Sequence, residues 1–390
     1  MGPVTYDVVV VGAGIVGASC AYYAARDGLT VCVVDRGPLA GGTTSAGEGN
    51  LLVSDKEPGP ELELALLANA AWRDLGEVDL GEWPVARVVE LEAKGGLVVA
   101  SSETALGNLE LLAGAQRDAG VVAVLVAAGE LSSYEPNLAN GLSGGALYPQ
   151  DMQVQPMMAT AALLRLARSA GAHVVTGEAV VGFVRHGERV AGVRTANRSI
   201  GGGAVVNAAG SWAGQLATLA DAPVPVAPRR GFVLVTEPLP RMIRRKVYLA
   251  DYVADVASDS AALQTSPVVE GTPAGNVLIG ATRERVGFDR SWSDEAIRGL
   301  ARGAARLFPF LADVAVLRAY RGFRPYCPDH LPVIGADPRA PGLVHACGHE
   351  GAGIGLATAT GILVSQVVRG AATDMSLHPF RPDRFEVDAA

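Results

Sequence analysis

The chain has 390 residues, 49% hydrophobic and 18% charged, enough apolar material for a large core and too much for a disordered protein. Lys plus Arg number 32 against 40 for Asp plus Glu, a formal net charge of −8 that repels a phosphate backbone and excludes nucleic acid as the expected partner. The four cysteines, Cys20, Cys32, Cys327 and Cys347, form no CxxC pair and no Cys/His cluster, which predicts neither a metal site nor a disulfide framework and suits a cytoplasmic protein.

Residues 6–11 are an almost unbroken β-branched run ended by Gly12, which predicts a strand. An alanine-rich stretch over residues 15–26 has no breaker until Gly28 and predicts a helix, and the apolar run over residues 29–34, closed by Asp35, predicts a second strand. The opening is therefore a β-α-β unit with parallel strands. Its apolar part, residues 8–18, is too short and too glycine-rich to span a bilayer, and no basic residue precedes it as in a signal peptide.

Helices are expected over residues 62–75 and 102–119, with connections at residues 145–149 and in the proline-rich 222–231. Strands follow at 174–175, 180–185 and 190–195, with a turn at His186-Gly187, and at 204–206 running into Asn207-Ala208-Ala209-Gly210. Further strand-like runs are 232–236, 246–249 and 276–281, and a helix over 293–308 stops at Pro309. The last part reads as a turn at Gly322-Phe323-Arg324-Pro325, strands at 333–334 and 343–346, and a helix over 353–369.

Chemistry is carried first by Gly12-Ala13-Gly14-Ile15-Val16-Gly17. In this GxGxxG, Gly12 makes the turn, Gly14 lets backbone approach a pyrophosphate, and Gly17 lets the helix pack on the strand. Asp35, at the end of the second strand, is placed to accept hydrogen bonds from ribose hydroxyls and disfavours a 2′-phosphate. FAD and NAD share this fingerprint. Two later glycine-rich segments, Asn207 to Trp212 and Gly348 to Ile354, point towards FAD. The second leads into a helix whose free N–H groups suit the negative charge of a reduced flavin near N1 and the C2 carbonyl.

With these motifs the chain resembles the D-amino acid oxidase family of FAD-dependent oxidoreductases over its whole length. The resemblance rests on the fingerprint with Asp35, on Gly42-Thr43-Thr44-Ser45, on Asn207 to Ala213, on Gly322 to Pro325 followed by Asp329 to Gly335, and on Gly348 to Gly355. Ser45 to Asn50 and Gly348 to Gly355 are most similar to the flavin subunits of opine and hydroxyproline dehydrogenases and of hydrogen cyanide synthase.

The resemblance implies an α/β fold of the glutathione reductase-like FAD type. A Rossmann-like FAD-binding domain is expected over residues 1–80, 145–225 and 322–390, with a discontinuous α+β substrate domain over 81–144 and 226–321. It puts Asp35 and Arg36 beside the adenosine ribose, Val180 at adenine, and Thr43, Thr44 and Ser45 along the pyrophosphate and flavin. Ile15, Val16, Gly49, Asn50, Ala208, Gly210, Trp212 and Gly348 complete the expected cofactor contacts, with Gly351, Ala352, Gly353 and Ile354 facing the flavin pyrimidine.

Arg324, in Phe-Arg-Pro, matches the family's arginine that grips the substrate carboxylate, for which a guanidinium offers two parallel donors. Glu48 and His349, in the two glycine-rich loops, are candidates to orient the substrate amine or adjust its proton affinity. Tyr248 and Tyr252 are weaker substrate candidates. Monomeric sarcosine oxidases carry a flavin-linked cysteine near this Phe-Arg-Pro; here Gly322 stands in its place, so non-covalent FAD is expected.

The expected reaction is oxidation of the C–N bond of a small amino or imino acid to the imine. No second GxGxxG unit follows residue 17, which leaves oxygen, a quinone or a partner protein as electron acceptor. Homo- or hetero-oligomers are both open. The competing readings are the flavin subunit of a heteromeric opine or hydroxyproline dehydrogenase, an NAD-dependent dehydrogenase, against which the C-terminal glycine loop argues, and a non-catalytic flavin subunit, against which Arg324 argues.

Overall fold

The computed structural model describes residues 5–250 and 260–385. Tyr252 lies outside them. Among the described residues the chain forms two eight-stranded sheets and a small two-stranded ribbon. The first sheet runs Val333–Ala336, Leu343–Cys347, Ser199–Asn207, Thr5–Val11, Val31–Asp35, His173–Thr176, with the hairpin Val180–His186 and Arg189–Thr195 attached to Ser199–Asn207. Thr5–Val11 pairs in parallel with both neighbours, as expected of the β-α-β opening. Val8, Val9 and Val10 are buried on both faces, each contributing roughly 1.5–3 kcal/mol of apolar transfer.

Helices Ile15–Arg26 and Gly353–Val368 cross closely on one face of this sheet. A Cβ at Gly361 would lie 2.5 Å from Ser19 Oγ, so the crossing needs glycine there. Their buried alanines and valines join the core that also takes Trp72 and Leu164.

The second sheet runs Val316–Tyr326, Ala227–Thr236, Val277–Arg283, Gln264–Gly271, Lys246–Leu249, Gly96–Ala100, Gly144–Tyr148, Val124–Ala127. Helix Asp294–Leu307 packs on it, capped at its N-terminus by the Ser293 hydroxyl, which accepts from Ala296 N at 3.2 Å. No helix among the described residues is long and apolar enough to cross a membrane.

Three expected connections are corrected. Residues 145–149 fall mostly in strand Gly144–Tyr148, Ala227 onward is strand, and Gly322 to Pro325 lies inside the eleven-residue strand Val316–Tyr326. Glycine and proline read as breakers, yet here they serve close packing. A Cβ at Gly145 would be 2.5 Å from Val98 O, and one at Gly322 would be 2.4 Å from Ala46 Cβ. Pro325 faces Pro228 across the ladder on the edge strand, so the two missing N–H groups coincide. Gly144–Tyr148 and the whole of Val316–Tyr326 thus belong to the second sheet, across the segment edges expected at 145 and 322. Strands Gly96–Ala100 and Gln264–Gly271 and helix Pro156–Ser169 were not expected from the sequence.

Candidate functional site

One cavity of about 790 Å³ runs between the two sheets, from the fingerprint turn to Arg324. At its first end lie Gly12, Gly14, Ile15, Val16, Asp35 and Arg36. Gly12 has φ +115°, and a Cβ there would stand 2.3 Å from Ala208 O. Gly17 does not reach the cavity. A Cβ at Gly17 would sit 1.9 Å from Gly12 O, which gives it the packing part foreseen for the third glycine.

Helix Ile15–Arg26 begins with Gly14 as cap, without a side-chain capping bond and without an acidic residue in its first turn. Thr44 Oγ1 accepts from Ile15 N at 3.1 Å, and that hydroxyl lies in the cavity wall beside the helix start. Such an end, with a glycine cradle around it, fits a pyrophosphate. Asp35 is held at the strand end by two backbone donors, Ala13 N to Oδ2 and Gly37 N to Oδ1, both at 2.7 Å. A carboxylate has further lone pairs, so its ribose-binding capacity survives this anchoring.

Arg36 stacks its guanidinium 4.0 Å over the Trp212 ring, and Trp212 stacks in turn on Phe288 with centroids 4.9 Å apart. Val180, Ala208 and Gly210 line the same end. Thr43 and Ser211 hydroxyls both donate to Phe323 O at 2.6 Å, tying the loop after the second strand to the strand that carries Arg324. Thr43 and Thr44 line the cavity; Ser45 does not, because it is exposed and its hydroxyl donates back to Gly42 O at 3.1 Å.

At the other end are Glu48, Gly49, Asn50, Arg324, His349, Gly351, Gly353 and Ile354. Ala352 lines only a smaller adjoining cavity of about 60 Å³, which shares Asn50, Arg324 and Gly351 with the large one. Gly348, with φ +77°, makes the preceding turn outside both walls. Helix Gly353–Val368 starts here with no side-chain cap and no acidic residue in its first turn, so its N–H groups suit an anionic flavin ring edge.

Arg324 donates from Nη1 to Thr282 O at 2.7 Å, a bond that fixes the guanidinium in the wall. Glu48 is 7% exposed, and its Oε1 has no hydrogen-bond partner among the described residues. Burial pushes its pKa up to about 7, against the opposing pull of Lys246. His349 is also buried, and burial lowers its pKa to about 3, which keeps the imidazole neutral. The Thr360 hydroxyl donates to Leu356 O at 2.9 Å, so His349 Nε2, 3.0 Å from that hydroxyl, is the donor in their contact.

Tyr248 is a correction. It is fully buried outside both cavity walls, its hydroxyl 2.6 Å from Ser54 Oγ, so it braces the core rather than the cavity. Phe288, Arg290, Gly231 and Thr282 have no local motif in the sequence and reach the site only because distant segments meet there. Among the described residues no group of three His, Cys, Asp or Glu side chains could hold a metal ion.

The profile of the DAO family, FAD-dependent oxidoreductases, matches residues 7–367. The hydrogen cyanide synthase subunit HcnC of Pseudomonas aeruginosa is 30% identical, covering 99% of this chain and 98% of that protein. Glycine oxidase of Geobacillus kaustophilus is 30% identical over 96% of each chain. Its crystal structure superposes with a TM-score of 0.86 at 27% identity, covering 97% of this chain and 99% of that one. The L-proline dehydrogenase structure from P. horikoshii shares the fold, with a TM-score of 0.89 at 23% identity and 98% of both chains covered. The glycine cradle, the two open helix N-termini and the match over nearly the whole length agree, and the NAD-dependent reading falls with them: the chain belongs to the DAO family of FAD-dependent oxidoreductases.

Proposed function

We propose that the enzyme oxidises the C–N bond of a small amino or imino acid to the imine. The observation that carries this reading is the position of Arg324, a cationic fork in the cavity wall at the end where Gly351, Gly353 and Ile354 lead into an open helix N-terminus. A guanidinium there offers paired donors to a carboxylate. FAD, when bound, supplies the two-electron acceptor for the substrate's α-hydride. The rest of the work is positioning. Arg324 holds the carboxylate, and the first turn of Gly353–Val368 would offer its N–H groups to the flavin ring edge, with neutral His349 buried beside that turn.

FAD is held without a cysteinyl bond in this reading, since Gly322 stands at the motif position and burial keeps the thiols of Cys327 and Cys347 protonated. Four free, buried cysteines suit a reducing cytoplasm. A second reading, a dehydrogenase subunit that passes electrons to a partner protein, is favoured by the likeness to HcnC, itself a subunit.

Anaerobic mixing of the purified flavoprotein with glycine, sarcosine, D-amino acids, both prolines, hydroxyproline and an opine tests the proposal. Bleaching by one of them, with rapid return of colour in air, supports an oxidase. Bleaching that persists in air supports the dehydrogenase subunit, and no bleaching by any of them removes the proposed reaction.

A further inference from the structure

From Glu48 in the cavity wall a row of buried charge runs back into the second sheet, and substrate binding by Arg324 does not use it. Glu48 rests on Gly280, where a Cβ would stand 2.4 Å from both carboxylate oxygens, so glycine makes room for the acid. Beside it, Lys246 and Glu270 form an ion pair at 2.8 Å, with side chains 3% and 0% exposed. The strand register puts these groups on one face. Val247 pairs with Val269 and Tyr248 with Val268, which itself pairs with Gly280, while Val247, Val269 and Ile279 point to the opposite core.

Glu270 Oε1, like Glu48 Oε1, is buried with no hydrogen-bond partner among the described residues. Two orphaned carboxylate oxygens beside one ammonium mark a place for a proton that moves. The strands packed against Glu48 also present Arg324 and Arg283, which favour its anion, and Tyr320, whose hydroxyl donates to Gly47 O at 3.3 Å.

We propose that Glu48 takes the ammonium proton of an amino acid whose carboxylate Arg324 holds, and that the Lys246–Glu270 pair behind it governs the charge of Glu48. This rests on the amino acid reading above. The step balances: one N–H bond of the ammonium breaks and its proton becomes a Glu48 carboxyl O–H. The nitrogen lone pair so freed forms the C=N bond as the α-hydrogen leaves with two electrons for FAD, giving an iminium product. Glu48 is the catalytic residue, and Lys246 and Glu270 are positioning residues acting through it.

The test is the pH profile of anaerobic flavin bleaching in the holoenzyme, read beside an infrared titration of the carboxylic C=O band in the resting holoenzyme. The wild type is expected to bleach faster as pH rises, with a midpoint near 7, and to show an acid band titrating with it. Glu48→Gln should abolish both, leaving only the rise set by the substrate's own ammonium. Glu270→Gln, which removes a negative neighbour, should lower the midpoint, and Lys246→Met should raise it, each by about one pH unit or more.

Should Lys246→Met fail to fold, Lys246→Met/Glu270→Gln replaces the pair by neutral groups and Glu270→Gln alone still carries the sign. A wild-type profile in Glu48→Gln, or pair variants that leave the midpoint unmoved, overturns the proposal. A wild-type flavin that no amino acid bleaches overturns the functional reading instead, and the infrared titration of Glu48 separates that failure from this one.

Discussion

Gly231 and Arg324 are locked together by space: a Cβ at Gly231 would stand 2.0 Å from Nη1 of Arg324 and 2.5 Å from the Thr282 carbonyl that the guanidinium grips. Gly231 sits opposite Gly322 in the ladder between strands Ala227–Thr236 and Val316–Tyr326. Gly231→Ala is therefore expected to displace the guanidinium while leaving FAD bound. Arg324→Ala removes it outright, and losing a charge-assisted hydrogen bond of about 1.5–3 kcal/mol should raise the KM of a carboxylate substrate roughly tenfold to a hundredfold. Steady-state kinetics with the flavin-to-protein absorbance ratio as control checks both. Unchanged kinetics in Arg324→Ala would remove the arginine from the substrate site.

The fingerprint glycines should separate in their effects. Gly12→Ala meets the Ala208 carbonyl at 2.3 Å in a backbone of φ +115°, so both overpacking and strain oppose it, together about 2 kcal/mol or more. Gly14→Ala meets only the Thr44 hydroxyl, at 3.1 Å. The first variant should lose stability and flavin together, and the second should lose flavin with little change in the urea midpoint.

How far the sequence could be read follows from how local each feature is. The β-α-β opening was legible because its strand, turn, helix and acidic end lie within residues 5–35 and each has its own pattern. The Phe-Arg-Pro motif marks Arg324, but the glycine and proline around it have the composition of a turn. What calls for glycine at 322 inside a strand is Ala46, almost 280 positions away in the chain, and what makes it strand is its pairing with Gly231. Glu48 is visible as an acid in a glycine loop, yet the room for it depends on Gly280, and its raised pKa comes first from burial, with Lys246 and Glu270 as charged neighbours that only the second sheet brings together. Tyr248 looked available because a sequence does not show that Ser54 occupies its hydroxyl.

The cysteines bear on how FAD is attached. Cys327 lies outside the cavity wall, and burial pushes its thiol well up; Cys347 reaches the wall, but burial raises its pKa to about 12. Neither is a thiolate near neutrality, and the thiolate is the nucleophile. Acid precipitation should release all the flavin into the supernatant, from the wild type and from Cys347→Ser alike. A yellow pellet in the wild type would establish a covalent bond.

His349 ties the site to the acid stability of the fold. Its pKa falls from 6.5 to about 3 in the folded chain, because burial disfavours the imidazolium. Between those values the unfolded chain binds a proton that the folded chain refuses, so stability rises with pH across that window and is lost as pH falls through it. His349→Gln can still donate to the Thr360 hydroxyl and carries no titrating group. Its urea midpoint should therefore change less between neutral and mildly acidic pH than that of the wild type. A wild-type pH dependence retained in His349→Gln would mean that other groups govern acid unfolding and that His349 is not held neutral by the fold.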